Sequence, residues 1–178
     1  MFENIDLDTF RFRKSDKQIF ALVEPTSSFI KRSRHIEEKK TNIKENKSVY
    51  QSIWSLQGVN SSRRDDIMAL GFVLLHLLSK MEGNYPLWFD KSDTLQDIDI
   101  HLQEKLDFLD KSPQRLPAPI RRVHSLLASI KALRFVEVPN YQDLKLAIED
   151  ISKPYPIEKE KVVAEISSPS PQRDSQPS

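Results

Sequence analysis

From Ile67 to Leu78 ten of twelve residues are apolar, interrupted by Gly71 and His76. At 100° per residue the large side chains of this run cover every angle of a helix rather than one stripe. The pattern predicts a helix over 62–80 that is buried nearly all round, with Ser62 as its cap and Arg63-Arg64-Asp65-Asp66 in its first turn. A membrane span takes about 20 apolar residues, and this run is shorter and charged at its mouth, so it reads as the post of a helical domain.

Weaker patterns flank it. Residues 8–13 alternate, with Phe10 and Phe12 on one face and Arg11 and Arg13 on the other. After a turn at 14–17, Ile19 to Val23 forms a second strand, so the pair predicts a hairpin. Over 93–110, Leu95, Ile98, Leu102, Leu106 and Leu109 recur at helical spacing, predicting an amphipathic surface helix with its acidic residues in water and His101 at the edge of the core. Prolines 113, 117 and 119 punctuate the next connection. Ile120, Val123, Leu126, Leu127 and Ile130 then mark another helix, with His124 and Arg121 or Arg122 on its more polar side. Asn140 is placed to cap a last helix that turns Tyr141, Leu144, Ala147, Ile148 and Ile151 inward.

Composition narrows the picture. With 27 basic and 26 acidic residues in 178, no broad affinity for nucleic acid or membrane follows. There are no cysteines, which removes thiol chemistry and cysteine-based zinc sites and fits an intracellular protein, cytoplasmic or nuclear. The N-terminal residues lack a basic segment followed by an apolar core, so they do not read as a secretory signal. Three glycines, at 58, 71 and 83, cannot build a phosphate-cradling loop. Five of the eleven prolines fall from Pro154 onward among serines, which predicts a disordered tail over 153–178 behind a folded unit of 1–152.

The stretch Ser62-Arg63-Arg64-Asp65-Asp66, followed by an apolar residue and then Leu70-Gly71-Phe72, resembles the Ser-Arg-Arg-Asp-Asp-Leu-x-x-Leu-Gly-Tyr signature of the casein kinase I family of protein kinases. Tyr50-Gln51-Ser52-Ile53 and Gly58 match that family's Tyr-Ala-Ser-Ile and Gly upstream. Tyr85-Pro86-Leu87-Trp88 resembles its Leu-Pro-Trp, and Leu133 to Tyr141 resembles its Leu-Arg-Phe-Asp-x-x-Pro-Asp-Tyr. The resemblance covers residues 2–152 and only the C-terminal lobe of the kinase fold. It implies a mainly α fold (α+β by kinase classification), with one small β-hairpin and about five helices around the buried central helix.

The same resemblance implies roles and losses. Asp66, Gly71 and Arg134 fall on structural positions of the family: Asp66 turned back to the catalytic loop, Arg134 in an ion pair. The metal-binding Asp-Phe-Gly aligns with Val23, Glu24 and Pro25, and a hydrocarbon at position 23 offers no oxygen to Mg²⁺. Glu24 points to the other face of the strand, and Pro25 fixes a backbone that glycine leaves free. Residues 24–49 stand in the place of the activation segment. Between Lys31 and Lys47 lie seven Lys or Arg and three Glu, a solvated loop or an anion-binding patch. A family phosphate-contacting Arg is Val49 here, and Lys47, Arg63 and Arg64 are the remaining anion-binding candidates.

The expectation is therefore a catalytically inactive, non-enzymatic relative of casein kinase I serving as a protein-binding or scaffolding module. No metal or cofactor is expected. Its partner is a protein, or a second copy, met through an exposed lobe face, with phosphorylated or acidic segments at loop 31–47. The alternative is a piece of a longer serine/threonine kinase, which uses ATP and Mg²⁺ and draws its nucleotide site from a further lobe.

Overall fold

The computed structural model of the chain describes residues 5, 7–16, 18–21, 36–40, 48–81, 98–151 and 153. The sequence reading of residues 23–25, 47 and 85–88, and of the tail beyond Lys153, lies outside the described residues. A 3-10 turn, Leu7–Thr9, leads into strand β1 (Phe10–Arg13), which pairs antiparallel with β2 (Gln18–Ala21) in the register Phe10 to Ala21 and Arg13 to Gln18. Arg13 donates across the intervening turn to Asp16, Nε to Oδ1 at 2.9 Å. Five α-helices follow: α1 (Ile53–Leu56), α2 (Arg63–Met81), α3 (Ile98–Leu109), α4 (Ala118–Lys131) and α5 (Tyr141–Ile151). The described structure is mainly helical, as the periodicity predicts.

Helix α2 packs most extensively on α4. Met68, Phe72, Val73 and Leu75 meet Ile120, Val123, Leu127 and Ile130 in the core, all of them 2% exposed or less. Gly71 lets the two helices approach closely, since a Cβ built on it would stand 2.6 Å from Leu127 Cδ2 and 3.2 Å from its Cγ. Helix α1 ends in a Schellman turn: Val59 N–H donates to the Trp54 carbonyl and Gly58 N–H to that of Ser55, with Gly58 at φ 80°. Asn140 caps α5 through Oδ1, which accepts the N–H of Gln142 at 3.2 Å. At the other end of α5, Arg122 of α4 donates to the Asp150 carbonyl, where a cation suits the exposed carbonyls of a last turn.

Three expectations about facing are corrected. Helix α2 is not buried all round: Ile67, Leu70, Leu74 and Leu78 are half-buried, and Leu77 and Met81 are 46% and 78% exposed. These six residues lie along one side of the helix at helical spacing, four half-buried and two exposed. Tyr141, expected to face inward, is 57% exposed. His101 and His124 are buried rather than at the edge of the core or on a polar face; His124 Nε2 lies 3.1 Å from the Phe108 carbonyl, its ring edge-on to Phe108.

Candidate functional site

The residues that carry the family resemblance meet where the 48–62 segment enters α2. Ser52 caps α1, its Oγ accepting the Ser55 N–H at 3.0 Å, and the same hydroxyl donates to Asp65. Asp65 reaches back three residues to Ser62 in the manner of a capping box, accepting its N–H at 2.8 Å and its hydroxyl at 3.0 Å. One buried carboxylate thus ties the start of α1 to the start of α2. Burial pushes the Asp65 carboxyl above its ordinary value of 3.8, against the lowering effect of the serine hydrogen bonds and of Arg64.

The sign of that shift makes a prediction. A carboxyl whose folded-state pKa is raised favours folding below its unfolded value, and the contribution is lost as pH rises through the folded value. Asp65→Asn removes the titration, so its stability relative to the native chain is expected to improve as pH rises from about 4 toward neutrality. Urea unfolding of both proteins across that interval measures it. A difference that stays flat, or runs the other way, contradicts the burial of this carboxyl.

Arg64, proposed from sequence as an anion contact, is buried. Its guanidinium carbon lies 3.9 Å from the centre of the Trp54 ring and 5.5 Å from that of Phe135, and Nη1 donates to the Leu133 carbonyl at 3.1 Å. It clamps α1 to the turn after α4 by stacking and hydrogen bonding together. Arg63 is half-buried one residue away. Arg134 is 87% exposed and makes a local pair with Glu137 at 4.0 Å. Asp66 is half-buried between two hollows, a small polar one beside Ser52, Ser55 and Ser61 and a larger apolar one.

That larger hollow is a groove of about 590 Å³ between α2, α5 and the first strand. Ile67 and Leu70 form one wall, Leu144, Ile148 and Tyr141 the other, and Ile5 and Phe10 close its end. Arg63 and Asp66 line it from α2, Lys145 and Glu149 from α5. Ile67 and Leu70 reach it from the half-buried side of α2, and the exposed Tyr141 reaches it from α5. An apolar concavity with a few charged groups converging on it is the general form of a binding site.

Sequence reasoning missed two buried polar features. Lys105 of α3 is fully buried, donating from Nζ to the Gln51 carbonyl at 2.7 Å with the Phe72 ring centre 4.7 Å away. The signal was the 101, 105, 108 spacing, a stripe that runs beside the leucines. Tyr50 and His76 form the second, with Tyr50 Oη 2.6 Å from His76 Nδ1 and the rings stacked. Among the described residues no group of three or more His, Asp or Glu side chains is placed to hold a metal, and no helix is long and apolar enough to cross a membrane.

No family model matches the chain. It is 27% identical over 101 residues to a probable casein kinase I homolog of Encephalitozoon cuniculi, an overlap covering 57% of this chain and 32% of that protein. The match thus spans about a third of the relative's length. The expectation of a non-enzymatic chain is corrected by this similarity, which is to a protein named as a probable kinase. That expectation rested on the resemblance's covering a C-terminal lobe without a glycine-rich loop, and on Val23, Glu24 and Pro25, aligned by the register of a single strand and outside the described residues. The comparison supports a kinase-related origin for the chain.

Proposed function

We propose that the chain serves as the helical lobe of a casein-kinase-I-like serine/threonine protein kinase, and that the groove between α2 and α5 is the face on which it meets the protein element that completes it. ATP-dependent phosphotransfer to proteins is the activity this reading gives to the completed kinase. The helical lobe contributes the framework and the protein-facing surface. The observation that carries the reading is the apolar groove between α2 and α5, on the same helix whose first turn bears the Ser-Arg-Arg-Asp-Asp signature. An apolar concavity with a few charged groups at its rim suits a docking partner.

Leu70→Asp tests it. Leu70 is half-buried at the groove wall, so a carboxylate there reaches water and the fold is expected to survive with a loss of about 1 kcal/mol. Association through the groove is expected to be abolished, because the charge would have to be buried unpaired. Size-exclusion chromatography and thermal melting of native and variant chains measure both. An association that persists unchanged in Leu70→Asp rules the groove out as the docking face.

A further inference from the structure

Residues 36–40 fall inside the stretch whose sequence reads as a solvated loop, yet they are held against the lobe at one seat. Asn60 contacts their backbone on both sides: its Oδ1 accepts the Lys39 N–H at 2.8 Å, and its Nδ2 donates to the Glu37 carbonyl at 3.0 Å. The Asn60 N–H donates to the Lys39 carbonyl at 3.0 Å, and Lys40 forms an antiparallel bridge with Val59. None of these bonds uses a side chain of the segment. The side chain that engages the seat is Glu38, whose Oε1 lies 3.6 Å from Arg64 Nη2.

Both halves of the seat are fixed by other contacts. The Schellman turn at Gly58 and the Ser62–Asp65 lock hold Asn60 between them. Trp54, Phe135 and the Leu133 carbonyl hold Arg64, whose Nε is buried without a hydrogen-bond partner among the described residues. A buried guanidinium with donor capacity left over, beside an amide that pairs with main chain, is the chemistry that receives an extended peptide bearing a carboxylate. The occupant's bonds lie at exposed positions, whereas the seat's own supports are mostly interior.

We propose that Asn60 and Arg64 form a binding seat for an extended acidic segment, Asn60 pairing with its backbone and Arg64 with its carboxylate, and that residues 36–40 occupy it as a strap that releases without unfolding the lobe. Release uncovers the Arg64 guanidinium. The strap therefore decides whether that cation is available to another acidic group, a role separate from the kinase reading of the groove.

Amide hydrogen exchange of the full chain tests this. Asn60→Ala is expected to speed exchange at Lys39 about tenfold or more, and Glu38→Gln about threefold, with Asp107→Asn on the exposed side of α3 as a control that leaves it unchanged. Core amides such as Phe72 are expected to keep their native rates in all three. If Asn60→Ala does not fold, the comparison of Glu38→Gln with Asp107→Asn decides alone. Equal Lys39 rates in native chain and variants overturn the seat. Acceleration of Phe72 by the same factor as Lys39 overturns the strap, since the segment would then open only with the core.

Discussion

Asp65→Ala is expected to destabilise the fold by about 3–5 kcal/mol, lowering the melting temperature by about 10 °C or more. Asp65 accepts the Ser62 N–H, the Ser62 hydroxyl and the Ser52 hydroxyl, and all three groups lie in residues no more than 2% exposed. Alanine leaves these three donors in the interior without their acceptor, and an orphaned buried donor costs its full desolvation. It also removes the negative charge beside the buried Arg64 guanidinium. Asp65→Asn keeps one acceptor oxygen and sheds a charge whose burial is itself unfavourable, so its cost is expected to be less than half as large. Thermal melts of the two variants at neutral pH make the comparison. A milder effect from alanine than from asparagine contradicts the lock.

Gly71→Leu is expected to cost about 3 kcal/mol or more, the upper end of what overpacking a core does. Glycine inside a helix normally costs about 0.5–1 kcal/mol relative to alanine, so an alanine here gains propensity. It also brings a Cβ to 2.6 Å from a side chain that is itself fully buried. The clash exceeds the propensity gain, and Gly71→Ala is expected to be mildly destabilising, Gly71→Leu strongly so. A double-mutant cycle with Leu127→Ala shows whether the close approach is the cause. Leu127→Ala alone is expected to cost about 2–5 kcal/mol through its cavity, and in combination with Gly71→Leu the total should fall well short of the sum. Strict additivity would place the damage elsewhere.

The hairpin and helices α2 to α5 were legible because each rests on a strong local pattern, whereas the four-residue helix α1 was not foreseen. The hairpin follows from alternation around a polar turn, α4 from five apolar residues at 3.6-residue spacing, and the start of α5 from Asn140. What local patterns do not carry is which face of an element finds a partner. Helix α2 reads as apolar all round, and only the packing of α4 against one side of it decides that Leu77 and Met81 stay exposed. Lys105 fails in the opposite sense. A lysine reads as solvated, but its ammonium lies over the Phe72 ring and finds the Gln51 carbonyl 54 residues away in sequence.

The site was half legible for the same reason. The Ser-Arg-Arg-Asp-Asp signature directed attention to Asp66, while the buried carboxylate that accepts three hydrogen bonds is Asp65. Serine followed three residues later by an acidic residue is a capping signature in its own right, and it singles out Asp65 without any resemblance. Arg63 and Arg64 look alike in sequence, yet one is half-buried at the groove and the other lies within stacking distance of two aromatic rings. That separation follows from the 100° turn between neighbours on a helix, combined with where Trp54 and Phe135 happen to lie.

Sedimentation velocity across a wide concentration range tests whether the groove between α2 and α5 is a docking face. The native chain is expected to self-associate reversibly as concentration rises, with a melting temperature that rises in parallel, and Leu70→Asp is expected to remain monomeric at every concentration. A native chain that stays monomeric throughout, with a high melting temperature that neither concentration nor Leu70→Asp changes, would contradict it.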